Sequence, residues 1–76
     1  MTTVQTLDVR GEICPYPLFE TKKAIEVLHS GVRLKVLIDY PLALDNITRW
    51  AKAAGHKVVS VEEVGASEWE ILLECA

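Results

Sequence analysis

Hydrophobic and polar residues alternate along four segments of the chain, and two segments between them carry hydrophobic residues at helical spacing. Strict alternation is typical of a β-strand, and a repeat every three or four residues is typical of an amphipathic helix. The pattern therefore predicts six elements in the order β-α-β-α-β-β. The predicted strands span residues 3–10, 32–39, 57–64 and 68–75, and the predicted helices span residues 17–28 and 42–54.

The alternation also predicts which strand residues face the core. In the third strand, Val59 and Val61 fall on the expected inner face. In the fourth strand, Leu73 and Cys75 share a face with other apolar residues, so we expect Cys75 to be a buried strand residue.

Neither predicted helix can bury its apolar face alone, so both must pack on the sheet. Right-handed crossover connections place both helices on the same face of that sheet. The predicted fold is therefore α/β, a two-layer sandwich in which two helices cover one face of a four-stranded mixed sheet. Residues 1–76 form a single domain in this prediction.

Composition and charge narrow the classes of function. The chain has 76 residues, with 8 Lys and Arg against 11 Asp and Glu, for a net charge of −3. No basic excess is available to grip a phosphate backbone, so direct nucleic-acid binding is not expected. The first residues resemble no signal peptide, and no apolar run is long enough to span a membrane. We expect a soluble cytoplasmic domain whose chemistry is confined to one or two groups.

The strongest candidate for chemistry is Cys14, at the predicted start of the first helix. Pro15 takes the first helical position, where proline is favoured. Unpaired N–H groups and the helix dipole at this end both favour a thiolate, which is the nucleophilic form of cysteine. The alternative is that Cys14 is a small apolar residue that fills a strand–helix junction.

The residues around Cys14 are candidates for binding substrate or partner. Arg10, Lys22 and the backbone N–H of Tyr16 are expected to form a surface that faces an anion. Pro17, like Pro15, lacks an N–H and stiffens the segment. Glu12 stands apart, because a carboxylate beside a thiolate would raise the pKa of the thiol. The sequence leaves open which way Glu12 faces.

Two other combinations of reactive side chains are possible. Cys14 and Cys75 could form a redox pair, with Cys75 as the resolving thiol. His29 and His56 could join the two cysteines around a metal, but the four residues lack metal-ligand spacing. Both histidines follow predicted helices, where they stabilise the C-terminus. We therefore predict no metal and no cofactor.

Residues 7–17, Leu-Asp-Val-Arg-Gly-Glu-Ile-Cys-Pro-Tyr-Pro, and the following Lys-Lys-Ala-Ile at 22–25 resemble the TusA/SirA-like family of sulfur carriers. The signature of that family is Cys-Pro-x-Pro, and the similarity in length and order of elements extends along the whole chain. The resemblance implies that Cys14 accepts sulfane sulfur as a persulfide and passes it on. Whether such a protein turns over as a sulfurtransferase or only carries sulfur stays open.

Within that family the chain looks most like the YeeD-type branch. The residues that carry this likeness are Trp50, Ala51, Gly55, His56 and Trp69. That branch is associated with a membrane thiosulfate transporter of the YeeE/TsuA type. The likeness implies thiosulfate, or a persulfide donor protein, as the sulfur source, and a location at the cytoplasmic side of the membrane beside the transporter.

Two alternative functions follow from the same residues. Family members that relay sulfur toward tRNA thiolation usually carry Asp-Asp-Pro after the second strand, whereas this chain has Asp39-Tyr40-Pro41. The difference argues against a tRNA-thiolation relay. The second alternative is a non-catalytic interaction module that docks through the helix after the motif.

Overall fold

A computed structural model describes residues 4–13 and 16–76, so Cys14 and Pro15 lie outside the described residues. The elements follow the predicted order, and each end lies within two residues of its predicted position. Differences of this size are usual at element ends, where the last turns fray. The elements are β1 (Val4–Asp8), α1 (Tyr16–Glu26), β2 (Arg33–Ile38), α2 (Pro41–Ala53), β3 (Lys57–Gly65) and β4 (Glu68–Glu74).

The four strands form one mixed sheet in the order β1-β2-β4-β3. β1 and β2 are parallel because α1 crosses between them, and β4 is antiparallel to both of its neighbours. α1 follows β1 and α2 follows β2, so both helices begin at the edge of the sheet where these parallel strands end. Residues 9–13 and 39–41 therefore meet at one edge.

A single apolar core lies between the sheet and the two helices. Both helices and all four strands contribute buried or partly buried side chains to it, which places α1 and α2 on the same face and confirms the predicted sandwich. Cys75 belongs to this core, as its alternation with Leu73 predicts. The buried members are Val9, Ile25, Leu34, Val36, Ile38, Ala43, Ile47, Ala51, Ile71, Leu73 and Cys75.

The predicted inner face of β3 is wrong at Val59. The register of β3 against β4 shifts between Val58 and Ser60, so Val59 is the extra residue of a bulge. Val58 rather than Val59 packs against the core. Val61 remains 41% exposed. The bulge moves the side-chain alternation by one residue, which a simple period of two does not anticipate.

The face of the sheet away from the helices is polar and carries ion pairs between strands. Arg33 Nε lies 3.3 Å from Glu74 Oε1, and Lys35 Nζ lies 3.8 Å from Glu70 Oε1. Opposite charges on neighbouring strands stabilise the pairing of β2 with β4 modestly. This face is the solvated side of the sheet. The candidate site lies instead where β1 and β2 end and the helices begin.

Candidate functional site

The candidate site is the connection between β1 and α1. The Val9 N–H donates to the Leu37 carbonyl at 2.9 Å, and the Glu12 N–H donates to the Val9 carbonyl at 3.3 Å. Gly11 sits inside this turn with φ +87°, a conformation that glycine adopts without strain. We call residues 10–13 the motif turn, because they lead directly to Cys14 in the sequence.

The side chain of Arg10 is held by two carboxylates. It donates to Asp8 through Nε at 2.9 Å and through NH2 at 2.7 Å, and NH1 lies 3.3 Å from Glu68 Oε1. The Arg10 guanidinium lowers the pKa of Asp8 to about 2, and the Asp8 carboxylate in turn raises the pKa of Arg10. Arg10 therefore ties the motif turn to β1 and β4, and its charge is matched within the fold.

The backbone N–H of Tyr16 also has a partner. It donates to the Ile13 carbonyl at 3.0 Å, so the expectation of a free N–H at this position is wrong. Pro17 is buried, and its carbonyl accepts a hydrogen bond from the Thr21 hydroxyl at 2.7 Å. The bond fixes the first turn of α1 from inside the core, because Thr21 is fully buried.

Lys22 points toward α2. Its Nζ lies 5.9 Å from the centroid of the Trp50 ring, which is a cation–π distance. Lys22 follows Tyr16 by six positions, or about 9 Å along a helix axis. The structure thus places Lys22 at the contact between the two helices, beside Trp50, whereas Arg10 is paired with two carboxylates.

Glu12 faces Glu20 on the second turn of α1, which settles the direction that the sequence left open. A hydrogen bond between the two carboxyl groups raises the pKa of Glu12, because the pair is most stable when it holds a proton. The pair joins the motif turn to α1 and adds negative charge to the site.

Asp39 is a residue of the site that sequence reasoning did not single out. Its two carboxylate oxygens accept hydrogen bonds from the Gly11 N–H at 3.0 and 2.9 Å. Asp39 directly follows β2, at the edge where β1 also ends. The sequence did carry a signal for this contact, because an acidic residue follows one parallel strand and a glycine follows the neighbouring strand.

Three large apolar side chains are exposed on either side of the undescribed positions. Ile13 is 62% exposed, Tyr16 57% and Phe19 50%. We call these three residues the motif apolar surface. A cluster of exposed large side chains is typical of a surface that contacts another molecule.

Cys75 lies at the other end of α1. Its side chain is 8% exposed, and its Sγ lies 3.7 Å from the Leu28 carbonyl and 3.9 Å from the Ile25 carbonyl. Ile25 is about 14 Å along the helix axis from Tyr16. Burial and position both argue against Cys75 as a resolving thiol for Cys14.

The side chain of His56 contacts the C-terminal residue and Trp50. His56 Nδ1 accepts a hydrogen bond from the Ala76 N–H at 3.0 Å, and its ring centroid lies 5.4 Å from that of Trp50. Within residues 4–13 and 16–76, no group of three or more His, Cys, Asp or Glu side chains could hold a metal ion. The same residues enclose no pocket, and none of their helices is long and apolar enough to cross a membrane.

Comparison with known proteins identifies similar chains along almost the whole length. The family model described as sulfurtransferase TusA matches residues 5–74. A Thermotoga maritima protein named "Putative sulfur carrier protein" is 49% identical over 70 residues, covering 92% of this chain and 89% of that one. The Escherichia coli K12 "Putative sulfur carrier protein TsuB" is 33% identical over 73 residues, covering 96% and 97%.

A solved structure shares the fold. The crystal structure of a SirA-like protein from Desulfitobacterium hafniense superposes with a TM-score of 0.82 at 26% identity. The match covers 95% of this chain and 96% of that one. The two-layer arrangement therefore belongs to a fold with known members.

Proposed function

The chain belongs to the TusA family, and on that premise we propose that it is a sulfur carrier in which Cys14 accepts sulfane sulfur as a persulfide. One observation carries the proposal. The family match spans residues 5–74 and includes the Cys-Pro-Tyr-Pro sequence, which follows the motif turn and ends in the first two residues of α1. The matches to relatives named as putative sulfur carriers cover 92% and 96% of this chain.

The proposed chemistry needs only one thiolate. The Cys14 thiolate attacks the outer sulfur of thiosulfate, a new sulfur–sulfur bond forms, and the bond within thiosulfate breaks. Sulfite leaves with the electron pair, and Cys14 holds the transferred sulfur as a persulfide anion. With a persulfide donor protein the same attack releases the donor's thiolate. No cofactor or metal takes part, and total charge is conserved in both steps.

The surface of the site supports a carrier rather than an enzyme that encloses its substrate. The described part of the chain has no pocket, and the motif apolar surface (Ile13, Tyr16 and Phe19) is exposed. Exposed apolar side chains on both sides of Cys14 in the sequence suit contact with another protein. The same surface is the observation that favours the second candidate, a module that docks a partner without sulfur transfer.

Thiosulfate as the source, a YeeE/TsuA-type transporter as the partner and a cytoplasmic location beside the membrane are further parts of the proposal. They rest on the likeness to the YeeD-type branch carried by Trp50, His56 and Trp69. In the structure Trp50 packs against the core and contacts both Lys22 and His56. That contact gives Lys22 a place in the helix pair, while its part in binding a partner stays a proposal.

Intact mass measured after incubation with thiosulfate tests the proposal. We expect a gain of about 32 Da for one sulfur atom, retained in Cys75→Ala and absent in Cys14→Ser. A loss of about 2 Da would indicate a disulfide, and no change with thiosulfate or with a small-molecule persulfide would indicate the docking module. Loading of Cys14→Ser at the wild-type rate would overturn the assignment of the nucleophile.

A further inference from the structure

We propose that Asp39 is a positioning residue for Cys14, acting through the backbone of the motif turn. The inference rests on the proposed function, because it assumes that Cys14 is the group that reacts. Asp39 does not itself take part in the bond changes. Its role is to hold Gly11, three positions before the nucleophile, in one orientation.

The contact between Asp39 and Gly11 is strong and specific. Both carboxylate oxygens lie within hydrogen-bond distance of one N–H, at 3.0 and 2.9 Å, across 28 positions of sequence. A bond to an ionised acceptor is about twice as strong as one between neutral groups. Because Gly11 has φ +87°, the contact selects a backbone conformation that few other residues adopt.

Asp39 is itself anchored on rigid elements. The preceding residue, Ile38, is fully buried in the core and ends β2, and Pro41 begins α2 two positions later. The backbone of Asp39 is therefore fixed relative to the sheet. Through Asp39 the position of the motif turn is tied to β2 and α2 as well as to β1.

The contacts on both sides of Cys14 form one restraint. On the N-terminal side, Gly11 is held by Asp39 and Arg10 is held by Asp8. On the C-terminal side, the Ile13 carbonyl accepts from the Tyr16 N–H across the two undescribed residues. Of these contacts, only the one from Asp39 joins the backbone of the motif turn to a residue far away in the sequence.

A positioning role and a charge role for Asp39 predict opposite effects on Cys14. The negative charge alone would raise the pKa of a nearby thiol, so its removal should lower that pKa. Positioning acts the other way. If the turn is no longer held, we expect the thiolate form of Cys14 to lose stabilisation, so that the pKa of its thiol rises toward about 8.5. A misplacement of about 1 Å can also cost about 100-fold in rate.

Four variants separate these roles. Asp39→Asn keeps an acceptor oxygen without the charge, Asp39→Leu removes both, and Asp39→Glu keeps both but displaces them by one methylene. Asp45→Asn is the matched control, since it removes a carboxylate on α2 whose partner is Arg49. All four are assayed for sulfur loading from thiosulfate and for the pH profile of iodoacetamide alkylation, followed on the tryptic peptide of residues 11–22.

We expect Asp39→Leu to load sulfur about 10- to 100-fold more slowly and to shift the alkylation profile to higher pH. Asp39→Asn should stay within about threefold of wild type, because the acceptor remains. Asp39→Glu should slow loading although its charge is intact. Asp45→Asn should behave as wild type in both assays.

Three results would overturn the inference. Wild-type rates and profiles in Asp39→Leu would remove any role, and a lower thiol pKa in both Asp39→Asn and Asp39→Leu would assign a charge role. If Asp39→Leu fails to fold, a wild-type loading rate in Asp39→Glu would likewise assign a charge role, because that variant keeps the charge but displaces it. Alkylation does not require sulfur transfer, so a wild-type protein that does not load sulfur would refute the proposed function while the Asp39 comparison still stands.

Discussion

Cys75 should react with alkylating reagents only when the end of the sheet opens. Its backbone N–H donates to the Val32 carbonyl at 2.8 Å, and its carbonyl accepts from the Gly31 N–H at 2.9 Å. Its Sγ lies against the C-terminal end of α1, 3.7 Å from the Leu28 carbonyl. The reagent can therefore reach the sulfur only after these contacts break.

The expected protection follows from those contacts. Two backbone hydrogen bonds contribute about 1 kcal/mol each, and burial of a small side chain adds about 1 kcal/mol. Local opening then costs about 3 kcal/mol, which corresponds to about 100-fold slower reaction. Global unfolding of a domain this size costs about 4–11 kcal/mol, so opening of the whole fold would protect by about 1,000-fold or more. We therefore expect at least about 100-fold protection of Cys75.

The assay compares the alkylation rate of each thiol in the folded protein with its rate in the unfolded protein. The protein is pulsed with iodoacetamide in buffer and in concentrated urea, quenched and digested with trypsin. The peptide of residues 58–76 reports Cys75, and the peptide of residues 11–22 reports Cys14. Protection of Cys75 below about 10-fold would refute the reasoning, because it corresponds to an opening cost under about 1.4 kcal/mol. A second accessible thiol would then be available to resolve a persulfide on Cys14.

Two further predictions concern the first turns of α1. Thr21→Val removes the bond from a fully buried hydroxyl to the Pro17 carbonyl and should cost about 1 kcal/mol, or roughly 4–8 °C in Tm. Thr48→Val removes a similar bond from a partly exposed hydroxyl on α2, and an equal loss there would contradict the role of burial. Glu20→Ala should lower the pKa of Glu12, measured by NMR titration. A raised pKa in the folded state means that protonated Glu12 stabilises the fold at low pH. The wild type should therefore lose more free energy of unfolding than the variant as pH rises through the pKa of Glu12. An unchanged pKa of Glu12 in Glu20→Ala would refute the contact.

The fold was largely predictable because its signals are local. Strict alternation in β2 places Leu34, Val36 and Ile38 on one face, and all three are buried in the core. Gly55, with φ +89°, directly follows the C-cap of α2 and marks where that helix ends. The bulge at Val59 escaped prediction because it depends on how β3 registers with β4, and no residue type at that position announces it.

The residues of the motif were predictable, but their partners were not. Arg10 looks like a free cation in the sequence, yet it contacts Glu68, which is 58 positions away. Asp39 meets Gly11 across 28 positions. Both contacts exist because β1, β2 and β4 bring their ends to one edge of the sheet, and side-chain pairing at that edge follows from topology rather than from spacing. A charge read from the sequence alone therefore carries no information on whether the fold already matches it.

The charges around the motif turn are mostly negative, whereas the sequence predicted a positively charged surface there. Among the described residues, the Arg10 guanidinium stands with five carboxylates, one within the motif turn and four that contact it. These carboxylates are Asp8, Glu12, Glu20, Asp39 and Glu68.

A cationic surface would attract thiosulfate, and added salt would slow its reaction with Cys14, whereas an acidic surface repels the dianion and added salt should speed the reaction. We expect the rate of loading by free thiosulfate, followed by intact mass, to rise severalfold as ionic strength increases from about 0.01 to 0.15 M, where the Debye length falls from about 30 to 8 Å. Alkylation of Cys14 by uncharged iodoacetamide is the control and should change little. A rate that falls with salt would show that the dianion meets net positive charge. A rate that rises would show that the dianion meets net negative charge, to which both the Cys14 thiolate and the carboxylates around the motif turn contribute.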